Sequence, residues 1–168
     1  MKAVSLRGER LYPTHNDIPE TRRSEIVALL NQRLADAVDL QTQAKAAHWN
    51  VKGPGFIALH KLFDEIHGSV TDYVDLIAER AVQLGGIAEG TARIAARRSE
   101  LKEYPLDIAA DRDHVKALSA ALAAFGARVR LAIGEADALG DAGTADLFTE
   151  ISRGIDKSLW FVEAHSQA

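Results

Sequence analysis

Residues 48–80 read HWNVKGPGFIALHKLFDEIHGSVTDYVDLIAER and set three histidines, His48, His60 and His67, among carboxylates. Imidazole and carboxylate together are ligands for divalent transition metals. The chain has no cysteine, so thiolate nucleophiles, disulfides and cysteine-based zinc or iron–sulfur sites are excluded, and a metal would have to be held mainly by these two donor types. No glycine-rich phosphate loop follows a strand, and no serine stands in a nucleophile elbow. A di-metal site inside one helical bundle would need Glu-x-x-His motifs. The nearest pairs, Glu65 with His67 and Glu163 with His165, are spaced by two instead of three.

Helix geometry says what the spacing can do. At about 100° per residue, with His60 at zero, Asp64 falls at about 40°, Asp75 at about 60° and Glu79 at about 100°. All four share one stripe, and His60/Asp64 and Asp75/Glu79 are both i,i+4 pairs that can converge. Asp64 and Asp75, however, lie about 16 Å apart along the axis. Ligands must approach a metal to about 2.0–2.3 Å, so one ion cannot use both pairs of one chain. Two copies of the helix meeting antiparallel across a two-fold axis resolve this. His60/Asp64 of one copy then faces Asp75/Glu79 of the other, giving two equal sites per dimer. His48 approaches His60 across the short Gly53-Pro54-Gly55 break. His67, at about −20°, lies between the pairs and reads as an interface residue. Each of these residues taken alone is more often a solvated or structural group. The apolar neighbours Val74, Leu76 and Ile77 suggest partial burial for Asp75 and Glu79, and Arg80 is available as a neutralising partner, so a plain salt bridge stays open. His15, His114 and His165 lack such a constellation and are expected at the surface, and Trp49 is expected to pack.

The elements that must position these groups are all helical. Apolar residues step by three and four over about 20–51, 57–84, 108–139 and 144–165, and no sustained period-two pattern appears. Glycine and proline cluster between these spans. The fold class expected is all-α: a four-helix bundle, with a short extra helix near 91–97 in the long crossover between the second and third long helices. The chain of 168 residues is 47% hydrophobic and 26% charged with a formal charge of −4, enough for one sizeable core and no global case for nucleic-acid or membrane binding. The N-terminus lacks an apolar signal segment, and no uncharged apolar run of about 18 residues exists, so a cytoplasmic place is expected.

His48-Trp49-Asn50-Val51-Lys52-Gly53, then His60 and Asp64, then Asp75 and the run from Ala78 to Gly86, and near the C-terminus Asp156-Lys157-Ser158-Leu159-Trp160-Phe161, resemble the Dps family of mini-ferritins over about residues 20–166. The resemblance implies a ferritin-like bundle over 19–168 behind a tail of 1–18, and a hollow homo-dodecamer. It implies ferroxidase sites with up to two iron positions at the two-fold contact, where ferrous iron is oxidised preferentially by hydrogen peroxide, or by dioxygen, and stored as ferric mineral. By motif, His48, His60 and Asp64 come from one subunit, and Asp75 and Glu79 from its partner. Asp141 and Asp146 match a segment whose acidic residues line three-fold pores, with Ala142 and Gly143 replacing acidic residues of some relatives. Relatives that bind DNA often use a mobile lysine-rich tail. Here the tail holds Lys2, Arg7 and Arg10 against Glu9 and Asp17, while Leu6, Leu11 and Tyr12 can dock it, so weak or absent DNA binding is expected. Two alternatives stand beside this reading: a nucleoid-binding DNA-protection protein in which iron is secondary, and a helical assembly whose cluster holds only a structural ion such as zinc.

Overall fold

Ile26, Leu30 and Leu34, spaced by four, lie fully buried on one face of a helix spanning Glu20–Asn50, here α1. The computed structural model describes residues 11–167. It continues with α2, Phe56–Gln83; α3, Ala92–Arg98; α4, Asp111–Ala138; and α5, Ala142–Glu163. Among the described residues the only strand-like contact is an isolated bridge between Lys52 and Ala110. The expected four long helices and the short crossover helix are therefore all present, in a bundle that is all-helical among the described residues.

Boundaries differ by a few residues for local reasons. α1 stops at Asn50 because Val51 is extended (φ −61°, ψ 136°). α4 begins at Asp111, not near Ile108, because the preceding backbone is tied to Lys52: Lys52 N–H donates to the Ala109 carbonyl at 3.0 Å and Asp111 N–H to the Lys52 carbonyl at 2.8 Å. α5 begins at Ala142 because the Asp141 carboxylate accepts the Thr144 N–H at 3.0 Å and caps the helix.

α1 packs on α2 as a hairpin and α4 on α5 as a second one, with α1 also against α4 and α2 against α5. Phe63, Phe125 and Phe148 are fully buried where these helices meet, each worth up to about 3 kcal/mol of burial. α4 is long and apolar enough to cross a bilayer by length and composition. One face of it, Val115, Leu118, Leu122, Phe125 and Val129, fills this core instead. Val38, Leu147 and Leu159 are partly buried and pack against this core.

The crossover runs along α1 on a ladder of polar side chains. Asn31 Nδ2 donates to the Ile87 carbonyl at 2.9 Å and Gln32 Nε2 to the Arg98 carbonyl at 2.9 Å. Asp36 Oδ1 accepts the Glu100 N–H at 2.8 Å, and Gln43 Nε2 donates to the Lys102 carbonyl at 3.0 Å. The crossover thus returns the chain to the end of the bundle where α2 starts, and α4 begins there. Residues just ahead of α1 are held too: Tyr12 N–H donates to the Gly85 carbonyl at 2.7 Å, and Leu11 and Ile18 pack on the core. Gly85 sits at φ +87°, and a Cβ there would lie 2.5 Å from the Tyr12 carbonyl oxygen, so both turn and strap need glycine. Lys2, Leu6, Arg7, Glu9 and Arg10 lie outside the described residues.

Candidate metal centre

The α1–α2 hairpin brings the last turn of α1 against the second turn of α2, where His48 and His60 stack with ring centroids 3.8 Å apart and planes at 20°. Each ring is held by the other residue's backbone. His48 Nδ1 lies 2.7 Å from the His60 carbonyl oxygen, and His60 Nδ1 2.8 Å from the His48 carbonyl oxygen. A carbonyl can only accept, so both Nδ1 atoms carry the proton and donate. In the neutral ring that leaves each Nε2 with the free lone pair, the form a metal takes. His67 repeats the arrangement one level along, its Nδ1–H donating to the Gln41 carbonyl at 3.0 Å.

His48, His60 and Asp64 line one surface depression with Ile57, Lys61 and Glu65. Asp64 is exposed, and its Oδ1 takes the Lys45 ammonium. That hydrogen bond, chiefly, holds the Asp64 carboxyl below its ordinary value; desolvation opposes it, and the nearby His48 and Lys45 help it. The rim is apolar and uncovered: Trp49 is 68% exposed, so it does not pack as expected, and Phe56, whose ring lies 5.0 Å from that of His60, is 41% exposed.

Asp75 and Glu79 lie further along the same stripe of α2 and are not brought to this depression. Both are exposed, not partly buried as their neighbours suggested, because only Ile77 of the local apolar residues turns fully into the core. Arg80 does not neutralise them. Its guanidinium turns to Asp141, with Nη2 2.8 Å from Oδ1 and 3.0 Å from Oδ2, and to Thr144 Oγ1 at 3.0 Å. Neither Asp75 nor Glu79 has a hydrogen-bond or ion-pair partner among the described residues. Among those residues, no three His, Asp or Glu side chains of a single chain gather closely enough to hold a metal ion.

Of the two pore candidates, Asp141 is 2% exposed and committed to the α5 cap and Arg80, whereas Asp146 is exposed. Burial works to raise the Asp141 carboxyl, but the Thr144 hydroxyl and N–H and the Arg80 guanidinium outweigh it and hold it below its ordinary value.

His15 and His165 are exposed as expected, but His114 is not: it is 1% exposed, and its Nδ1 shares a hydrogen bond of 2.8 Å with the Tyr104 hydroxyl. Burial lowers the His114 pKa and pushes the Tyr104 phenol well up. The signal was present in the spacing, since His114, Leu118, Leu122 and Phe125 form one core-facing stripe. This pair joins the crossover to α4.

The family profile of the ferritin-like domain matches residues 27–168. The DNA protection during starvation protein of Agrobacterium fabrum is 44% identical over 158 residues, covering 94% of this chain and 98% of that protein. A solved structure of Mycobacterium smegmatis Dps superposes with a TM-score of 0.89 at 28% identity, over 95% of this chain and 96% of that one. DpsA14 from Streptomyces coelicolor does so with a TM-score of 0.88 at 32% identity, over 94% and 95%. The matches span both hairpins and the crossover without a missing element, and the chain belongs to the Dps family of ferritin-like proteins.

Proposed function

We propose that this chain is a mini-ferritin that oxidises ferrous iron at sites shared between two copies and stores the ferric product as mineral inside a hollow shell of twelve. The observation that carries the reading is the His48–His60 clasp, whose Nδ1 bonds leave Nε2 of each ring as the donor beside Asp64, while Asp75 and Glu79 stand exposed on the same stripe with no cation among the described residues. Across a two-fold axis, His48, His60 and Asp64 of one copy and Asp75 and Glu79 of the next make a nitrogen–oxygen ligand set with open positions, which suits ferrous iron as substrate. Two ferrous ions at such a site supply the two electrons that reduce one hydrogen peroxide, with two protons, to two waters, without releasing a hydroxyl radical. The uncovered rim of Trp49, Phe56 and Ile57 is an apolar surface of the kind a second copy covers.

Ferrous iron added anaerobically to the metal-free protein, then peroxide or dioxygen, tests this. Rapid oxidation, faster with peroxide, and a soluble ferric product are expected. Binding without turnover would leave only a structural ion site, for example for zinc. Sedimentation should give about 218 kDa, twelve chains of 18.2 kDa, and monomer or isolated dimer at micromolar concentration would sink the shell. Asp146, not the capped Asp141, is the carboxylate open to a three-fold pore.

The A. fabrum relative is named for DNA protection, and protection here is assigned to removal of iron and peroxide in the cytoplasm. The strap at Tyr12 and a formal charge of −4 per chain, about −48 per shell, work against holding a polyanion. At about 0.15 M salt no stable DNA complex is expected in a gel-shift assay. A stable complex abolished by deleting residues 1–12 would favour a nucleoid-bound role.

A further inference from the structure

We infer that Asp111 is a positioning residue for the histidine pair: from the start of α4 it anchors Gly55, the residue from which α2 starts, and so fixes the register in which His60 meets His48. The inference rests on the metal-centre reading of that pair. α2 begins behind Gly55, a cap residue with no side chain to satisfy the first amides of the helix. The cap residue is instead held from far along the chain, because Asp111 Oδ2 accepts the N–H of Gly55 itself at 2.9 Å. The backbone bonds of Lys52 to Ala109 and Asp111 lie beside it, so three hydrogen bonds tie the turn between the two histidine-bearing helices to the N-terminus of α4. His48 is in the last turn of α1 and His60 in the second turn of α2, so the start of α2 determines which residues the reciprocal Nδ1–H bonds join.

The turn is shaped around this carboxylate. Gly53 sits at φ +129°, and a Cβ there would lie 2.8 Å from Asp111 Oδ2; one at Gly55 would lie 3.1 Å from the same oxygen. The N–H groups of Gly55 and then Arg112 hold the Asp111 carboxyl below its ordinary value, as expected of a carboxylate used as an acceptor.

A plainer role is open to Asp111. It lies in the first turn of α4, where negative charge favours the helix dipole. The two roles separate on substitution. Asp111→Asn keeps an oxygen for Gly55 and removes the charge; Asp111→Ala removes both. Gly55→Ala keeps the charge, but its methyl, 3.1 Å from Oδ2, pushes the carboxylate back from the Gly55 N–H. Cobalt(II) alone, titrated into the metal-free assembled protein and followed by visible absorption, reports the site without turnover, and the thermal midpoint is measured beside it. Asp111→Asn should bind cobalt like the wild type. Asp111→Ala and Gly55→Ala should both bind about tenfold more weakly, the low end of what losing an outer-shell partner costs. If Asp111→Ala does not fold, Gly55→Ala decides. Wild-type affinity in Asp111→Ala or Gly55→Ala, or equal weakening in Asp111→Asn, overturns the inference. A wild type that takes up no cobalt overturns the metal-centre reading and the inference with it.

Discussion

The two ends of α2 are built on opposite principles. At the N-terminal end the groups of the site are already engaged: His48 and His60 hold each other's carbonyls, Asp64 holds Lys45, and Asp111 anchors the residue from which the helix starts. At the C-terminal end Asp75 and Glu79 stand exposed, and the adjacent cation, Arg80, is turned away to Asp141. Two carboxylates four residues apart on a helix repel each other, so leaving them bare has a cost that a local arginine could have relieved. One end of the helix supplies orientation and the other supplies charge. A single chain cannot join them, and two antiparallel copies can.

The largest effects should come from breaking the oriented end. His48→Ala removes one Nε2 donor and the bond that holds the His60 backbone. Ferrous affinity is expected to fall by more than about 100-fold, beyond the usual loss for an outer-shell change, with the shell intact by sedimentation. Asp75→Ala breaks the charged end and should slow oxidation similarly. If the two ends meet only between copies, disassembling and reassembling the two variants together recovers activity, because each mixed dimer collects both defects in one site and leaves the other complete. Random pairing makes half the dimers mixed, with half their sites intact, so about a quarter of wild-type activity is expected. Stopped-flow oxidation that stays at the level of the separate variants would place the site within one chain.

Arg80 sharpens the contrast, because it sits beside Glu79 yet belongs to the fold. Arg80→Ala leaves the buried Asp141 carboxylate with only Thr144, and unfolding should become easier by about 2–3 kcal/mol, while cobalt or ferrous affinity changes little. The Asp141 carboxyl is held below its ordinary value when folded. Its contribution is therefore present above the unfolded value of about 3.9 and is lost as pH falls through the lower folded value. The stability gap between wild type and variant should be full at pH 7 and close in acid. A variant that folds as well as wild type but binds metal differently would show that Arg80 serves the stripe after all.

Much of this was legible in the sequence, for physical reasons that can be traced. The helices followed from spacing, because a core-facing stripe must repeat every three to four residues, and the stripe on α2 followed from the same rule. What spacing does not carry is the partner each side chain chooses. His114 lies on the core stripe of α4, but its polarity argued for the surface; the Tyr104 hydroxyl, ten residues earlier in an irregular segment, is what makes its burial tolerable. Arg80 could be matched with Glu79 by adjacency, yet it turns to a helix cap sixty-one residues later. Asp111 looks like an ordinary first-turn acid, and its bond to Gly55 appears only once the crossover has brought α4 back to the hairpin. Local period was readable from the chain, whereas polar pairing across the crossover needed the fold.

The smallest effect expected is at Lys45, and it tests whether the oriented end is charge-balanced in the absence of metal. The ammonium rests on Asp64, and both groups keep substantial exposure, 27% and 49% of their side chains. An exposed ion pair is worth little and is screened by salt, so a metal arriving at Asp64 displaces Lys45 at small cost. Lys45→Gln should tighten cobalt binding by about threefold at low ionic strength, and the gain should shrink as salt rises. Lys45 is also the leading reason that the Asp64 carboxyl is held down. Without it, Asp64 protonates at a higher pH, so the advantage of the variant should be present at neutral pH and diminish in acid as protons compete for that carboxylate. Weaker binding in Lys45→Gln across the whole range would mean instead that the lysine aims Asp64 at the site, and that the N-terminal end of α2 is organised for orientation down to its one ion pair.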